Sequence, residues 1–239
     1  LLFLFVDRTA RDYRFTAEEL KGTAYIAQIW PALADGGGGR LAPAWPDQAR
    51  AFGAERQARA LLSAPPGARA ARGADLIEAI ADGSNLTLDT DLSSYYAMDA
   101  ATAVMPRLLA TATSPEAAAG DPFALGQVQS QEQAALRDFA GAIDRLPTAG
   151  ARAALTRQSD QLAAAFDPFV RDPKDAARRS RFVSAVDGAW RVDHGELARL
   201  LEARRELILG RLFSSLALIA VTLGAAAALA VAMTRSLAT

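Results

Sequence analysis

An uncharged stretch near the C-terminus constrains this chain more than any other feature. Residues 212–233 read LFSSLALIAVTLGAAAALAVAM, which is 22 residues without a charged side chain, between Arg211 and Arg235. As a helix rising about 1.5 Å per residue, the stretch is about 33 Å long, and the hydrocarbon core of a bilayer is about 30 Å thick. The alternative is a buried core helix, but such helices rarely run this long without a strongly polar residue. We therefore predict a transmembrane helix over residues 212–233.

The N-terminus carries a shorter apolar run. The chain begins LLFLFV, without an initiator methionine, and the charged Asp7 and Arg8 follow at once. Six residues cannot cross a bilayer, so we interpret residues 1–6 as the end of a first transmembrane helix that starts before this sequence. The alternative is a hydrophobic staple at the head of a soluble helix. Two spans would place residues 7–211 on one side of the membrane and residues 234–239 at the start of a cytoplasmic linker.

Composition excludes several classes of function. The chain has no cysteine and one histidine, which excludes disulfide frameworks, thiol nucleophiles and multi-histidine metal sites. With 26 basic and 27 acidic residues it has no general attraction for nucleic acid. The sequence contains no nucleophile-elbow motif and no phosphate-binding loop. We therefore predict a protein that is not an enzyme and that uses no metal, no cofactor and no nucleic acid.

The middle of the chain is predicted to be entirely helical. Alanine, the best helix former, supplies 56 of the 239 residues, and no segment shows the period-2 pattern of a strand. Glycine and proline breakers divide the chain into predicted helices over residues 7–33, 46–63, 74–82, 92–113, 121–146, 149–166 and 174–233. The predicted fold is all-α: an elongated periplasmic helical bundle between two transmembrane helices, built as one four-helix-type bundle or as two stacked bundles.

Heptad-like spacing predicts which faces of the first and last helices are buried. Both helices carry residues at alternating steps of three and four, as in helices packed in a bundle. In the first helix these are Val6, Ala10, Tyr13, Ala17, Leu20, Ala24 and Ala27. In the last helix they are Val186, Trp190, Asp193, Leu197, Leu200, Arg204, Leu207 and Arg211. Because the last helix has no proline as far as Met233, we expect a stiff rod that carries small displacements into the membrane.

One segment of the middle region resembles a known family. Residues 82–99 read DGSNLTLDTDLSSYYAMD, and residues 104–108 read VMPRL. This resembles the periplasmic sensor region of bacterial methyl-accepting chemotaxis receptors, which carry a similar DGSNLTLDPDLDSYYLMD run and then a Leu-Pro step. Residues 19–25 (ELKGTAY) and 29–31 (IWP) are similar to the ELxGxxY and VWP patterns of the same receptors. The sequence departs from the family pattern at Thr90, Ser93 and Met105.

The resemblance implies a sensory function rather than a particular output. Some sensor histidine kinases share this input region, and residues 233–239 resemble the entry to a HAMP linker. The family implies the extracytoplasmic ligand-sensing part of a chemotaxis receptor in the bacterial inner membrane, with its sensor domain in the periplasm. The expected partners are the lipid bilayer, a small-molecule ligand or a periplasmic binding protein, and a second copy in a homodimer. The alternatives are the input domain of a histidine kinase and a membrane-tethered helical module that binds another protein.

The residues of this motif also have a local structural interpretation. Gly83 is expected to end one helix, and residues 84–90 form an extended crossing in which Leu86 and Leu88 both point into the bundle. Asp89 or Asp91 caps the next helix, an interpretation that we favour over a calcium loop because the required glycine and distal glutamate are missing. Pro106 inside a helical pattern predicts a kink or a local opening near Thr102, and an opening would free backbone carbonyls for a ligand or for water.

The candidate ligand-binding residues follow from helical spacing. Tyr95, Tyr96 and Asp99 lie close together on one side of the predicted fourth helix. Three residues of other segments are further candidates, as cations or as pocket lining: Lys21, Tyr25 and Arg107. The alternatives are that the tyrosines belong to the core and that Lys21 is solvated and paired with Glu18. His194 is expected to be solvated.

Overall fold

The structure is a computed structural model of residues 1–239. It describes residues 2–35, 41–88, 92–114 and 148–237 continuously, and between 115 and 147 it describes residues 130, 133–134, 136–137, 139–141 and 143–146. These residues are mostly helical, and none of them is in a strand, which confirms the all-α prediction for the described part of the chain. The predicted helix over 121–146 lies largely outside the described residues.

The helices divide into two compact units. The core unit comprises Glu18–Leu201, and the terminal unit comprises Leu1–Ala17 with Glu202–Thr239. The helices are α1 (Leu2–Ala34), α2 (Trp45–Ala49), α3 (Glu55–Ser63), α4 (Arg69–Gly83), α5 (Leu92–Asp99), α6 (Met105–Thr113), α7 (Ala149–Arg171) and α8 (Ala176–Leu237). Helices α5 and α6 are joined without a break by a π-helical turn, Ala100–Val104.

Helix α1 buries a different face from the predicted one. The predicted seam of small residues is wrong by one position, because the buried residues lie one step nearer the N-terminus. Along this line they are Thr9, Thr16, Glu19, Thr23, Ile26, Trp30 and Leu33, and beside it Gly22, Tyr25, Ile29 and Ala32 are buried as well. The large side chains Ile26, Trp30 and Leu33 bury far more apolar surface than alanines can, so they set the face that the helix turns inward. The hydroxyl of Thr23 is satisfied within the helix by donating to the carbonyl of Glu19 at 2.8 Å.

The predicted second helix is broken in two. Helix α2 passes into a 3₁₀ turn, Arg50–Phe52, and α3 begins only at Glu55. Between them Gly53 has a φ of 68°, in the left-handed region that glycine adopts readily, and this reverses the chain. Gly83 ends α4 as predicted, and a methyl group placed on it would lie 2.0 Å from the carbonyl oxygen of Phe52. Glycine is therefore needed there for close packing of two backbones.

The predicted extended crossing after Gly83 is also wrong. Asn85 has a φ of 65°, and Leu86–Leu88 form a 3₁₀ turn. Residues two apart in such a turn point in different directions, so Leu86 is fully buried while Leu88 is 63% exposed. The proposed caps Asp89 and Asp91, and the calcium alternative with them, lie outside the described residues.

Helix α8 is the longest element. It begins after Asp175, whose carboxylate accepts from the backbone N–H groups of Ala177 and Arg178 at 2.8 and 3.2 Å. Those hydrogen bonds lower the pKa of Asp175. Among the described helices, α8 is the one long and apolar enough to cross a membrane; its most apolar 18-residue window has a mean hydropathy of 2.4 and is not buried.

Candidate functional site

The helix opening predicted from Pro106 is present. The turn Ala100–Val104 is π-helical, and the N–H of Met105 donates to the carbonyl of Ala100, five residues back. Proline has no N–H to donate, so the turn before Pro106 cannot keep the regular α-helical hydrogen bonds. The hydroxyl of Thr102 donates to the carbonyl of Met98 at 2.8 Å, which stabilises the widened turn from inside.

A tryptophan side chain satisfies the carbonyl that this turn leaves free. The carbonyl of Ala101 would accept from residue 105 in an α-helix or from residue 106 in a π-helix. Met105 donates to Ala100 instead, and Pro106 has no donor. The indole Nε1 of Trp190, on α8, donates to the Ala101 oxygen at 3.0 Å. The Ala101 carbonyl is therefore satisfied by a buried side chain and is not open to a ligand or to water.

Trp190 lies in the middle of a stack of three rings. Its indole stacks on Trp30 of α1 with ring centroids 4.4 Å apart and 7° between the planes. On its other side the ring of His194 stacks at 4.4 Å. The indole of Trp30 donates to the carboxylate of Asp187 at 2.9 Å. We call Trp30, Trp190 and His194 the ring stack; it joins α1, α8 and the π-helical turn.

His194 is not solvated, contrary to the prediction. It is partly buried, and its Nε2 lies 3.0 Å from the carbonyl oxygen of Thr23 on α1. A carbonyl can only accept, so Nε2 carries the proton and donates. Burial lowers the pKa of His194, and the hydrogen bond to Thr23 opposes that shift. The imidazole is therefore mainly uncharged at neutral pH and serves as a contact between α1 and α8.

The neighbouring residue, Asp193, is a buried acid. Its side chain is 2% exposed, and its Oδ2 has no hydrogen-bond partner among the described residues. Burial raises the pKa of this carboxyl well above its ordinary value, and the carboxylates of Glu196 and Asp99 raise it further. Glu196 is itself buried and accepts two hydrogen bonds from Arg199, at 2.7 and 2.6 Å. Within the described part of the chain, Glu196 is therefore paired with Arg199, whereas one carboxyl oxygen of Asp193 is unsatisfied.

Two of the predicted site residues lie beside Asp193. Tyr96 and Asp193 both line a small internal void, and Asp99 is close enough to influence the pKa of Asp193. Tyr95 is 40% exposed and packs edge-on against Tyr96, with ring centroids 5.6 Å apart. The guanidinium of Arg145 lies 4.6 Å from the centre of the Tyr96 ring and donates to its hydroxyl.

The other three candidates do not line this void. Lys21 is exposed and pairs with Glu18 at 2.7 Å, which agrees with the alternative that Lys21 is solvated and paired with Glu18. Tyr25 is buried, donates to the carbonyl of Trp45 at 2.6 Å, and has its pKa raised to about 12 by burial. Arg107 is exposed on α6. The expectation that Lys21 supplies a charge for an anionic ligand at the tyrosines is therefore not supported.

A larger open groove lies between α3 and α4. Its volume is about 770 Å³, and it is lined by alanines and by side chains of both charges. Arg72 and Asp75 in the groove pair with each other at 3.1 Å. None of the six predicted site residues lines it. Within the described residues, no group of three histidine, cysteine or acidic side chains is placed to hold a metal ion.

Sequence reasoning missed Asp193 as a candidate, although a signal was present. Trp190 and Asp193 both stand on the predicted seam of the last helix, and an aspartate at a buried seam position is costly unless it has a role. The partners of these residues on α1 and on the π-helical turn lie far away in the sequence, so spacing alone could not identify them.

Replacing Trp190 with phenylalanine should remove the hydrogen bond to Ala101 while keeping a buried ring. We expect the free energy of unfolding to fall by about 1–3 kcal/mol more than in Trp45→Phe, because a buried carbonyl loses its donor. Trp45 is the matched control, since both tryptophans are 4% exposed. Chemical unfolding of the full chain in detergent measures both; equal losses would mean that the hydrogen bond contributes nothing.

Asp193→Asn should change how stability depends on pH. Burial raises the pKa of Asp193, so folding costs free energy when this carboxyl would otherwise be ionised. That cost is absent at low pH and grows as the pH rises above the unfolded pKa of about 3.9. Thermal unfolding should therefore show Asp193→Asn to be more stable than the wild type at pH 7, with a smaller difference at pH 4. A difference that does not change with pH would contradict the burial of an acid at this position.

Comparisons with known proteins give this chain no established relative. No protein-family model matches it, and no curated protein and no solved structure matches it. The similarity of residues 82–99 to chemotaxis receptor sensor regions therefore stays a prediction.

Proposed function

We propose that this chain is the ligand-sensing and transmembrane signalling part of a bacterial receptor of the methyl-accepting chemotaxis type. One observation carries the proposal: the same helix, α8, contains both the buried residues Trp190 and Asp193 and the exposed apolar stretch that is long enough to cross a membrane. One section of α8 is held in the bundle by polar contacts, and the section beyond it is apolar. Such a helix is suited to transmitting a displacement from the first section to the second.

The proposed mechanism is a shift between two positions of α8. Trp190 and His194 hold α8 against Ala101 of the π-helical turn and against Thr23 of α1 through two hydrogen bonds. A ligand, or a binding-protein partner, favours one arrangement of these contacts, and α8 moves by an ångström or two as a rigid helix. The sensor region lies in the periplasm in this proposal, the membrane is the bacterial inner membrane, and two copies form a homodimer.

Two other functions fit a bundle attached to a membrane helix. The first is the input domain of a sensor histidine kinase, in which the same displacement of α8 would control a kinase module. The second is a membrane-tethered helical module that binds another protein and transmits nothing. We favour the chemotaxis receptor because of the motif at residues 82–99 and the similar first-helix pattern at residues 19–25 and 29–31.

Breaking α8 between its two sections should uncouple them. Residues 1–239 are fused to a reporter kinase module, and the basal kinase activity is measured. We expect Trp190→Phe to change that activity severalfold, because it loosens the contacts that hold α8. Ala203→Pro in the same chain should abolish that change, since proline removes a helix hydrogen bond and kinks the helix at a cost of about 3 kcal/mol.

The matched control is Ala203→Ser, which keeps the backbone N–H and should preserve the effect of Trp190→Phe on the reporter. An undiminished effect in the proline variant would show that α8 does not act as a rod. It would leave the tethered binding module as the better proposal.

A further inference from the structure

Asp193 lies where an ionised carboxylate cannot be hydrated. Its side chain is buried, and its Oδ2 has no hydrogen-bond partner among the described residues. The internal void that it borders with Tyr96 is too narrow for a water molecule. A buried carboxylate without water or a cation costs far more than the neutral acid does. The protonated and the ionised forms of this one side chain therefore differ greatly in how well they fit the folded core.

The charges that act on Asp193 are negative. They belong to Asp99 on α5 and to Glu196, one turn further along α8. Tyr96, also on α5, borders Asp193 through an uncharged ring. Burial first, and then these two carboxylates, raise the pKa of Asp193 well above its ordinary value. In this arrangement of the helices the proton therefore stays on Asp193 to a higher pH than on an exposed aspartate.

The basic residues that follow Asp193 on α8 do not offset these charges. Arg199 is paired with Glu196, and His194 donates to the carbonyl of Thr23 and is mainly uncharged at neutral pH. Neighbouring elements also contribute two ionisable side chains, one buried on α1 and one exposed and bonded to the Tyr96 hydroxyl: Glu19 and Arg145.

Asp193 lies next to the hydrogen bond that fixes α8. It follows Trp190 by three residues, about one helical turn, and Asp99 precedes Ala101 by two residues. The two acids therefore stand on the same two elements as the contact in which Trp190 donates to Ala101 at 3.0 Å. Repulsion between an ionised Asp193 and Asp99 acts between the elements that this hydrogen bond holds together.

We propose that Asp193 is a proton-binding switch that sets the position of α8. When it is protonated, α8 rests with Trp190 bonded to Ala101 and His194 bonded to Thr23. When its proton passes to solvent, the carboxylate favours a second position of α8 in which it reaches water and both contacts are weakened. This inference rests on the proposed receptor function, for which it names the external proton concentration as an input.

The sign of the pH dependence follows from the two arrangements. The carboxyl has a raised pKa in the first arrangement and an ordinary one, about 3.9, once it reaches water. Between these two pKa values, the ratio of the second arrangement to the first rises by up to about tenfold per pH unit. Above the raised pKa of Asp193 the ratio is constant. A higher pH therefore loosens the ring stack.

The test follows the ring stack in the full chain in detergent. The chain has three tryptophans, so in a Trp45→Phe background the indole fluorescence comes from Trp30 and Trp190 alone. Quenching of that fluorescence by acrylamide should be lowest near pH 4 and should rise with pH. Asp193→Asn should abolish the rise. Asp99→Asn should make the total change in the ratio roughly three- to tenfold smaller, because removing a repelling charge lowers the Asp193 pKa.

Two control variants separate Asp193 from other titrating groups. Protonation of His194 would place a charge in the core and loosen the stack at low pH, which is the opposite direction, so His194→Gln should keep the rise at high pH. Asp75→Asn neutralises an exposed acid on α4 that pairs with Arg72, and it should also keep the rise.

Quenching that is independent of pH in the Trp45→Phe chain overturns the inference. An equal rise after Asp193→Asn overturns it as well. Both outcomes leave the rod test at Ala203 unaffected. A rise that depends on Asp193, together with failure of the rod test, would overturn the receptor proposal and keep the switch.

Discussion

The hydrogen bond from Trp190 to Ala101 is the interaction on which the rest of the site depends. It exists because Pro106 cannot donate and Met105 donates to Ala100, so the carbonyl of Ala101 needs a donor from outside its own helix. A buried carbonyl without a donor is costly, and the indole of Trp190 on α8 supplies the donor. The bond therefore fixes both the rotation and the height of α8, and the rings of Trp30 and His194 close over the two faces of the indole.

The interior around this bond is unusually polar for an alanine-rich bundle. Glu19, Thr23, Asp193 and Glu196 are all buried in the core unit. Most have partners, since Thr23 donates within α1 and Glu196 binds Arg199, but Asp193 is left with an unsatisfied oxygen. A core optimised for stability alone would place a leucine there. A polar interior with one unsatisfied acid gives up stability, and under the proposed function that loss would leave the bundle free to take a second arrangement.

The sequence predicts the fold class well and the faces of the helices poorly. Alanine content and the absence of strand patterns are sufficient to predict a helical chain. Pro106 predicts a kink or an opening before it, because the missing N–H acts locally, and the structure shows that this opening is a π-helical turn. The predicted face of α1 is wrong by one residue because alanines bury little surface on any face, and the large side chains of Tyr25, Ile26, Ile29, Trp30 and Leu33 decide which face turns inward. The roles of His194 and Asp193 depend on Thr23 and Asp99, which are distant in sequence, so spacing could not reveal them.

The central claim is that α8 connects a sensor domain outside the cytoplasm to the cytoplasmic side of the membrane. Because the chain has no cysteine, single cysteines report their surroundings without interference. The direct measurement is labelling of Ala71→Cys, on the exposed side of α4, and of Thr234→Cys, near the end of α8, with a membrane-impermeant maleimide. The account predicts that spheroplasts label Ala71→Cys at once and Thr234→Cys only after lysis. Labelling of both sites before lysis, or of neither, would contradict it.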